Sequence, residues 1–134
     1  MDLNLQYAHH SQQQFDTVTD VSHRQAIKAF DDFAWLAEAE KAQLLQKCLP
    51  TLSIIAEHQQ KLLWISAYIE GDVLHFNAET KFPAVMSSYF GLCQTQGICD
   101  LCNPTFSQGQ ARKALLLFVS GSLDELEMHF NISH

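Results

Sequence analysis

The sequence has few charged side chains, and no part of it is strongly basic. Charged residues make up 17% of its 134 positions, against about 25% in an average soluble domain. Eight lysines and arginines are scattered along the chain, and the net charge is −7. Because neutralisation of phosphates drives nucleic-acid binding, this composition argues against a nucleic-acid partner. An acidic chain is better suited to a basic protein partner, or simply to staying in solution.

Long hydrophobic runs are also missing. The longest, at residues 62–65 and 114–119, are far shorter than the ~20 residues that span a bilayer. Residues 1–6 have neither the positive charge nor the apolar stretch of a secretory signal. We therefore expect a cytoplasmic protein without a membrane partner. Disulfides are rare in that compartment, so thiols or metal ligands are expected at the four cysteines, Cys48, Cys93, Cys99 and Cys102.

Motifs of the common catalytic classes do not occur in the sequence. It has no glycine-rich phosphate loop, no Gly-x-Ser-x-Gly and no His-Glu-x-x-His, which favours a protein that is not an enzyme. One enzymatic alternative stays open, with Cys93 or Cys99 as nucleophile and His75 as base. Asp100 or Glu79 would orient that base.

The apolar share of 47% is enough for one ordinary core. Residues 1–20 are polar and rich in Gln and His, which predicts a flexible lead-in, and residues 21–134 are interpreted as a single domain. Ser22 and Gln25 form a capping box that begins a helix, with a possible break at 36–40, before the chain reaches Pro50. A further short helix is predicted over 51–60, and Phe30, Phe33 and Trp35 are predicted to lie in the core.

From residue 61 onward the pattern favours strands. Residues 62–69 and 73–78 predict a hairpin around Gly71, and further strands are predicted over 85–90 and 111–119. Ser122 is expected to cap a final helix. The predicted fold class is α+β: N-terminal helices (21–60) packed on a small antiparallel β-meander with a Cys-x-x-Cys turn, then a C-terminal helix (β-rich part 61–134).

The stretch at residues 97–103 contains Cys99 and Cys102, which predict a tight turn and half of a zinc site. Asn103 is suited to the positive φ that often follows the second cysteine of such a turn. His129 and His134 would complete a Cys2His2 set. Alternatives stay open. They are a redox pair, which Asp100 disfavours by charge repulsion, an iron–sulfur cluster held by Cys93, Cys99 and Cys102 with Cys48 or a His, or thiols without metal.

Three segments together suggest a family. Residues 61–71, the Gly97-Ile98-Cys99-Asp100-Leu101-Cys102-Asn103 motif and residues 113–119 resemble the C-terminal treble-clef zinc module of the FusB/FBP family of elongation-factor-G-binding proteins. The resemblance implies helices before a hairpin region and a zinc site, and direct, non-catalytic binding to a translation factor. It implies zinc ligation by Cys99 and Cys102. The family's second ligand pair comes from the junction of the last strand and helix, where this sequence has no Cys or His.

The favoured function is therefore a non-catalytic protein-binding or regulatory module, with zinc as a possible stabilising metal and a homodimer as a possible assembly. The main alternative is a small-ligand or cofactor-binding protein with an aromatic pocket. Five aromatic residues would line that pocket: Trp64, Tyr68, Phe76, Tyr89 and Phe90.

Overall fold

The computed structural model describes residues 1–11, 14–58, 60–88 and 93–131, with the backbone alone at 85–88 and 93–96. The first half of the chain forms β1 (Asp2–Gln6), β2 (Asp16–Val18), α1 (His23–Asp32), α2 (Trp35–Leu45) and β3 (Thr51–Ala56). The second half forms β4 (Lys61–Glu70), β5 (Val73–Ser88), β6 (Cys93–Phe106), α3 (Gln108–Val119) and α4 (Leu123–Phe130). The strands build one six-stranded antiparallel sheet in the order β2-β1-β3-β4-β5-β6. The α+β fold class is thus confirmed.

The N-terminal residues are part of the sheet, so the prediction of a flexible lead-in is wrong for β1 and β2. Leu3 pairs with Ile54 and is buried in the core, while Asn4 pairs with Ser53 on the other face. Alternation of Leu3 and Leu5 with polar residues is the period-two pattern of a strand with one buried face. β1 lies between β2 and β3 in the sheet. It therefore pairs with one strand that precedes the two N-terminal helices and with one that follows them.

The two N-terminal helices follow the predicted capping box. The Ser22 hydroxyl accepts from the backbone N–H of Gln25 at 3.1 Å, and the Gln25 side chain accepts from the N–H of Ser22 at 2.7 Å. The break between helices falls at residues 33–34, slightly before the predicted 36–40, and α2 runs without interruption. Burial of Phe30, Phe33 and Trp35 in the core is confirmed.

The segment after Pro50 is a strand, and the helix predicted over 51–60 is wrong. β3 pairs with β1 on one side and β4 on the other. Its β-branched residues Thr51, Ile54 and Ile55 fit this position, because branched side chains pack well on a pleated surface. Pairing with two distant strands, which the local sequence does not reveal, decides the structure here.

The hairpin predicted around Gly71 is confirmed. β4 and β5 pair from Leu62↔Lys81 to Glu70↔Val73, and Gly71 has the positive φ of +63° that favours glycine. The strand predicted over 85–90 continues β5 as far as residue 88, and residues 89–90 lie outside the described residues. β4 buries Leu63, Ile65 and Ala67, whereas the side chains between them are only half-buried.

The segment predicted as a strand over 111–119 is helix α3, so that prediction is wrong. Ser107 and Gln110 form a second capping box, with hydrogen bonds of 3.2 and 2.8 Å between side chains and backbone N–H groups. Buried residues then recur at helical spacing: Ala111, Ala114, Leu115 and Phe118. The final helix is confirmed as α4, with Ser122 at its N-cap position.

One core connects the described helices with one face of the sheet. Phe30, Trp35, Leu115 and Leu126 from the helices join Ile65 and other strand residues in a single buried cluster. In the described part of the chain no helix is long and apolar enough to cross a bilayer. The described helices pack on one side of the sheet, and among the described residues no helix covers the opposite side.

Candidate functional site

The uncovered side of the sheet, called the open face below, is the main candidate site. Strand alternation and register place one set of side chains there. Most of its central members are half-buried, although Ser53 is 8% exposed, whereas the residues on the helix-covered face are buried. Across the sheet, aligned with the register, the open face carries Asp2, Asn4, Gln6, Thr17, Thr51, Ser53, Ile55, Leu62, Trp64, Ser66, Tyr68, His75, Asn77, Glu79, Lys81, Ile98, Asp100 and Cys102.

The open face has a depression over β1, β3 and β4 whose lining residues are uncharged. We call it the Phe15–Trp64 groove; it is lined by Asn4, Gln6, Phe15, Thr51, Ser53 and Trp64. Asn4, Ser53 and Trp64 form one row of cross-strand neighbours. Phe15, just before β2, is 51% exposed and stands at the rim. The groove therefore combines amide and hydroxyl groups with two aromatic rings.

Hydrogen bonds hold part of this groove in place. The Thr17 hydroxyl donates to Oδ1 of Asn4 at 2.9 Å. The Thr51 hydroxyl donates to the Leu49 carbonyl at 3.0 Å and lies 2.9 Å from the Ser66 hydroxyl. Gln6 donates through Nε2 to two carbonyls in the segment that follows β1. These contacts fix the polar side chains before any ligand arrives.

Another part of the open face, called the acidic half, lies over the ends of β4, β5 and β6. Glu79, Asp100 and Lys81 are its charged members, and the Lys81 ammonium lies 3.8 Å from the Asp100 carboxylate. The same ammonium lies 5.7 Å from the centre of the Trp64 ring, a cation–π distance. The carboxylates of Glu79 and Asp100 outnumber the single ammonium of Lys81, so the net charge of this half is negative.

Two aromatic rings border the acidic half. Tyr68 and His75 are cross-strand neighbours with ring centres 5.5 Å apart, nearly parallel. The Tyr68 hydroxyl donates to the Pro104 carbonyl at 2.6 Å. Burial, followed by the charge of Glu70, raises the pKa of Tyr68. The phenol is thus a neutral donor that ties β4 to β6 at neutral pH.

The predicted Cys-x-x-Cys turn is wrong, because residues 93–106 form strand β6. Cys99 pairs with the buried Phe82, whereas Cys102 pairs with Glu79 on the open face. Side chains three positions apart in a strand point to opposite faces. The two sulfurs therefore lie on different sides of the sheet.

Asn103 also departs from its expected role. It has no positive φ and is buried within β6, where its side-chain amide donates to the Phe130 carbonyl at 3.1 Å. Its Oδ1 accepts from the Thr105 N–H at 3.2 Å. Asn103 therefore attaches the C-terminal end of α4 to the sheet.

Both thiols are held in their protonated form. Burial and the carboxylates of Glu127 and Asp100 raise the pKa of Cys99. Burial and the carboxylates of Glu79 and Asp100 raise the pKa of Cys102, whose thiol donates weakly to Oδ1 of Asn77 at 3.6 Å. Because a thiolate is needed for both nucleophilic and redox chemistry, neither cysteine is prepared for it.

His129 is buried on α4 among the C-terminal elements. Its Nε2 lies 2.7 Å from the Gln110 carbonyl, its ring stacks on Phe106 at 4.9 Å, and its Nδ1 has no partner in the described structure. His134 lies outside the described residues. The zinc set of Cys99, Cys102, His129 and His134 stays a prediction, and the placement of its two sulfurs on opposite faces does not support it.

The remaining metal alternatives have no common location either. Cys48 is buried after α2, and Cys93 lies in β6, with its side chain outside the described part. Among the described residues no group of three or more His, Cys, Asp or Glu side chains could hold a metal ion.

The other predicted residue sets are also divided between the two faces. For the enzyme, Cys99 is on the helix-covered face, while His75, Glu79 and Asp100 are on the open face. For the aromatic pocket, Phe76 is in the core, whereas Trp64 and Tyr68 are on the open face. Tyr89 and Phe90 lie outside the described residues. The described members of each set therefore do not share one face.

Comparison of the chain with models of protein families, with curated proteins and with solved structures finds no match. The resemblance to the FusB/FBP zinc module therefore stays a prediction. Sequence reasoning missed the groove residues Asn4, Phe15 and Ser53. The alternating residues of β1 were the one local signal that could have placed Asn4 on a polar face.

Proposed function

We propose that this chain is a non-catalytic protein-binding module that binds a basic surface of its partner through the acidic half of the open face. The observation that carries the proposal is the one-sided packing of the helices. It leaves half-buried aromatic, polar and acidic side chains of five neighbouring strands accessible from one direction.

The composition of this face supports recognition of another protein. Protein interfaces are enriched in aromatic residues, and their most energetic contacts often come from Trp and Tyr. Tyr68 and Trp64 are rigid here, because each is held by neighbouring strands and by a specific contact. Rigid side chains lose little conformational entropy when a partner binds.

Charge supports a basic partner. Glu79 forms no ion pair among the described residues, and the one lysine beside it is engaged by Asp100. The whole chain carries a net charge of −7. Complementary potentials accelerate encounter and exclude partners of the same sign.

The site chemistry supports binding without catalysis. The thiols have raised pKa values, and His75 stacks on Tyr68, whereas the Cys102 thiol contacts Asn77. No group in this half is therefore arranged as a nucleophile–base pair.

Charge reversal at the acidic half tests the proposal. The variant Glu79→Lys with Asp100→Lys is compared with wild type as bait, by quantitative mass spectrometry of proteins captured from a lysate at low and high salt. The control variant, Glu40→Lys with Glu125→Lys, reverses two exposed charges on helices α2 and α4. We expect a basic partner that wild type and control retain and that the first variant loses about tenfold or more.

Two outcomes would contradict this function. One is capture that is equal for all three baits, and the other is a partner whose binding does not weaken with salt. Finer aspects stay proposals of their own: a translation factor as the partner, which the FusB/FBP resemblance implies, stabilisation by zinc, a cytoplasmic location and a homodimer. The identity of a captured protein and its zinc dependence would address the first two directly.

A further inference from the structure

We infer that the Phe15–Trp64 groove binds a neutral saccharide. The lining of the groove does not include Glu79 or Asp100, the acidic residues that carry the proposed partner binding. Three properties of its lining support this ligand class: the absence of charge, the paired aromatic rings and the unused hydrogen-bonding groups.

Charge defines which ligands are excluded. None of the six lining residues is ionisable. Asp2 and Glu79 flank the groove in β1 and β5, where Glu79 is the cross-strand neighbour of Trp64. These carboxylates disfavour phosphate, sulfate and uronic acid groups by repulsion, and the Lys81 ammonium, 5.7 Å from the centre of the Trp64 ring, disfavours a cation in the same way. An uncharged ligand is the one that fits.

The aromatic rings define the shape of the ligand. Trp64 is half-buried in the lining, and Phe15 is half-exposed at the rim. Binding pockets commonly combine apolar ring surfaces with a few well-placed polar groups. A sugar ring has this same division, since its C–H faces are apolar and its hydroxyl edge is polar. It can stack on an indole face while its edge reaches the floor.

The polar floor has groups that remain unused. In the described part of the chain, Nδ2 of Asn4, the Ser53 hydroxyl and Nε1 of Trp64 make no hydrogen bond. Asn4 and Ser53 are cross-strand neighbours, and so are Ser53 and Trp64. These two N–H donors and one hydroxyl can form hydrogen bonds with the hydroxyl groups of a sugar, each of which both accepts and donates.

Titration of isotope-labelled protein with neutral disaccharides tests the inference by NMR. Maltose, cellobiose and lactose are the probes; glucuronic acid is the anionic comparison and a neutral Gly-Ser peptide is the peptide comparison. At least one disaccharide should shift the backbone amides of Asn4, Ser53 and Trp64 in a saturable way, with a Kd of about 1 mM or tighter. Glucuronic acid should leave them unchanged.

Two substitutions localise the effect. Asn4→Ala and Ser53→Ala should each weaken binding about three- to tenfold, the usual consequence of losing one hydrogen bond. Asn77→Ala, on the acidic half, should leave it unchanged. Well-dispersed spectra of each variant show that it is folded.

The inference is overturned if none of the disaccharides shifts the groove amides, if glucuronic acid shifts them equally, or if the peptide alone does. A shift that both groove substitutions leave unaltered would also overturn it. Partner capture is tested at Glu79 and Asp100, and saccharide binding at Asn4 and Ser53, so failure of one proposal is distinguishable from failure of the other.

Discussion

The two faces of the sheet are built on the same strands yet have opposite properties. On β5, Phe76 is fully buried against helices, while its neighbour Asn77 is on the open face. On β4, Leu63 and Trp64 divide in the same way. The difference shows that this fold places its stabilising contacts on one side. Side chains on the other side are free to serve recognition, with little cost to the core.

Truncation of a core residue should have the largest effect. Phe76 packs against Trp35, with ring centres 5.2 Å apart, and near Phe30 at 6.2 Å. Phe76→Ala should lower the free energy of unfolding by about 3–5 kcal/mol, as measured by urea denaturation followed by circular dichroism. Asn77→Ala, one residue away on the open face, should change it by less than about 1 kcal/mol. Equal losses would contradict the division of the two faces.

Removal of a buried carboxylate on the helical side should have the next largest effect. Glu38 is 7% exposed and accepts from the backbone N–H of the buried Ala8 and from Lys41, both at 3.1 Å. Glu38→Ala leaves the Ala8 N–H without a partner and should lower the free energy of unfolding by about 1–3 kcal/mol.

The Glu38 contribution should depend on pH. Burial raises the pKa of this carboxyl. The Ala8 N–H and Lys41 together lower it by more, so its folded pKa is below the ordinary value. A depressed pKa stabilises the fold above the unfolded pKa, and this stabilisation is lost as the pH falls through the folded pKa. The difference between wild type and Glu38→Ala should therefore shrink below about pH 4.3. A difference that stays constant into acid would contradict this assignment.

Substitution of the two cysteines compares the faces through smaller expected changes in the free energy of unfolding. Cys99 packs at the margin of the core, whereas Cys102 is exposed. Cys99→Ser should lower the free energy of unfolding by about 1 kcal/mol, and Cys102→Ser by less than about 0.5 kcal/mol. A shared zinc site would instead make the two losses similar and remove bound metal in both variants. Metal analysis of protein purified without added zinc, beside the denaturation curves, separates the two cases.

The smallest effect concerns the reactivity of an open-face thiol. Glu79 is among the groups that raise the pKa of Cys102, so Glu79→Gln should lower that pKa and increase its alkylation rate at neutral pH about two- to fivefold. Glu57→Gln, at the opposite end of β4, is the matched control and should leave the rate unchanged. Peptide mass spectrometry reads Cys102 separately from the other cysteines. An unchanged rate in Glu79→Gln would show that the acidic half does not act on this thiol.

Local signals in the sequence predicted the elements that depend on local contacts. The capping box of α1 and the hairpin around Gly71 both have their partners within a few residues. Elements that depend on distant partners were mispredicted. Residues 51–56 form a strand because β1 and β4 flank them, and residues 2–6 do so because β3 does.

The α3 segment shows a different cause of error. Its apolar run at 114–119 contains no polar interruption, and such a run fits a strand or a buried helix equally well. The deciding signal was the capping box at Ser107 and Gln110, which repeats the spacing of Ser22 and Gln25. Length also favoured a helix, because the segment from 108 onward is long for a strand.

The candidate site was less predictable than the fold. The groove joins Asn4, Phe15, Ser53 and Trp64, which are far apart in sequence and meet only through strand register. The Cys-x-x-Cys spacing gave a clear local pattern, but its meaning depends on backbone conformation. In a turn the sulfurs can converge, while in the strand β6 they diverge.

The position of β1 between β2 and β3 has a consequence for how the molecule folds. Asp2 pairs with Ile55, so this strand enters the sheet only after both helices and β3 are available. Closing that long loop has an entropic cost before any sheet contact offsets it. During synthesis on a ribosome, the first residues to emerge would therefore wait for much of the chain. Until then β3 would present an unpaired edge, the form in which a growing chain is most exposed to aggregation.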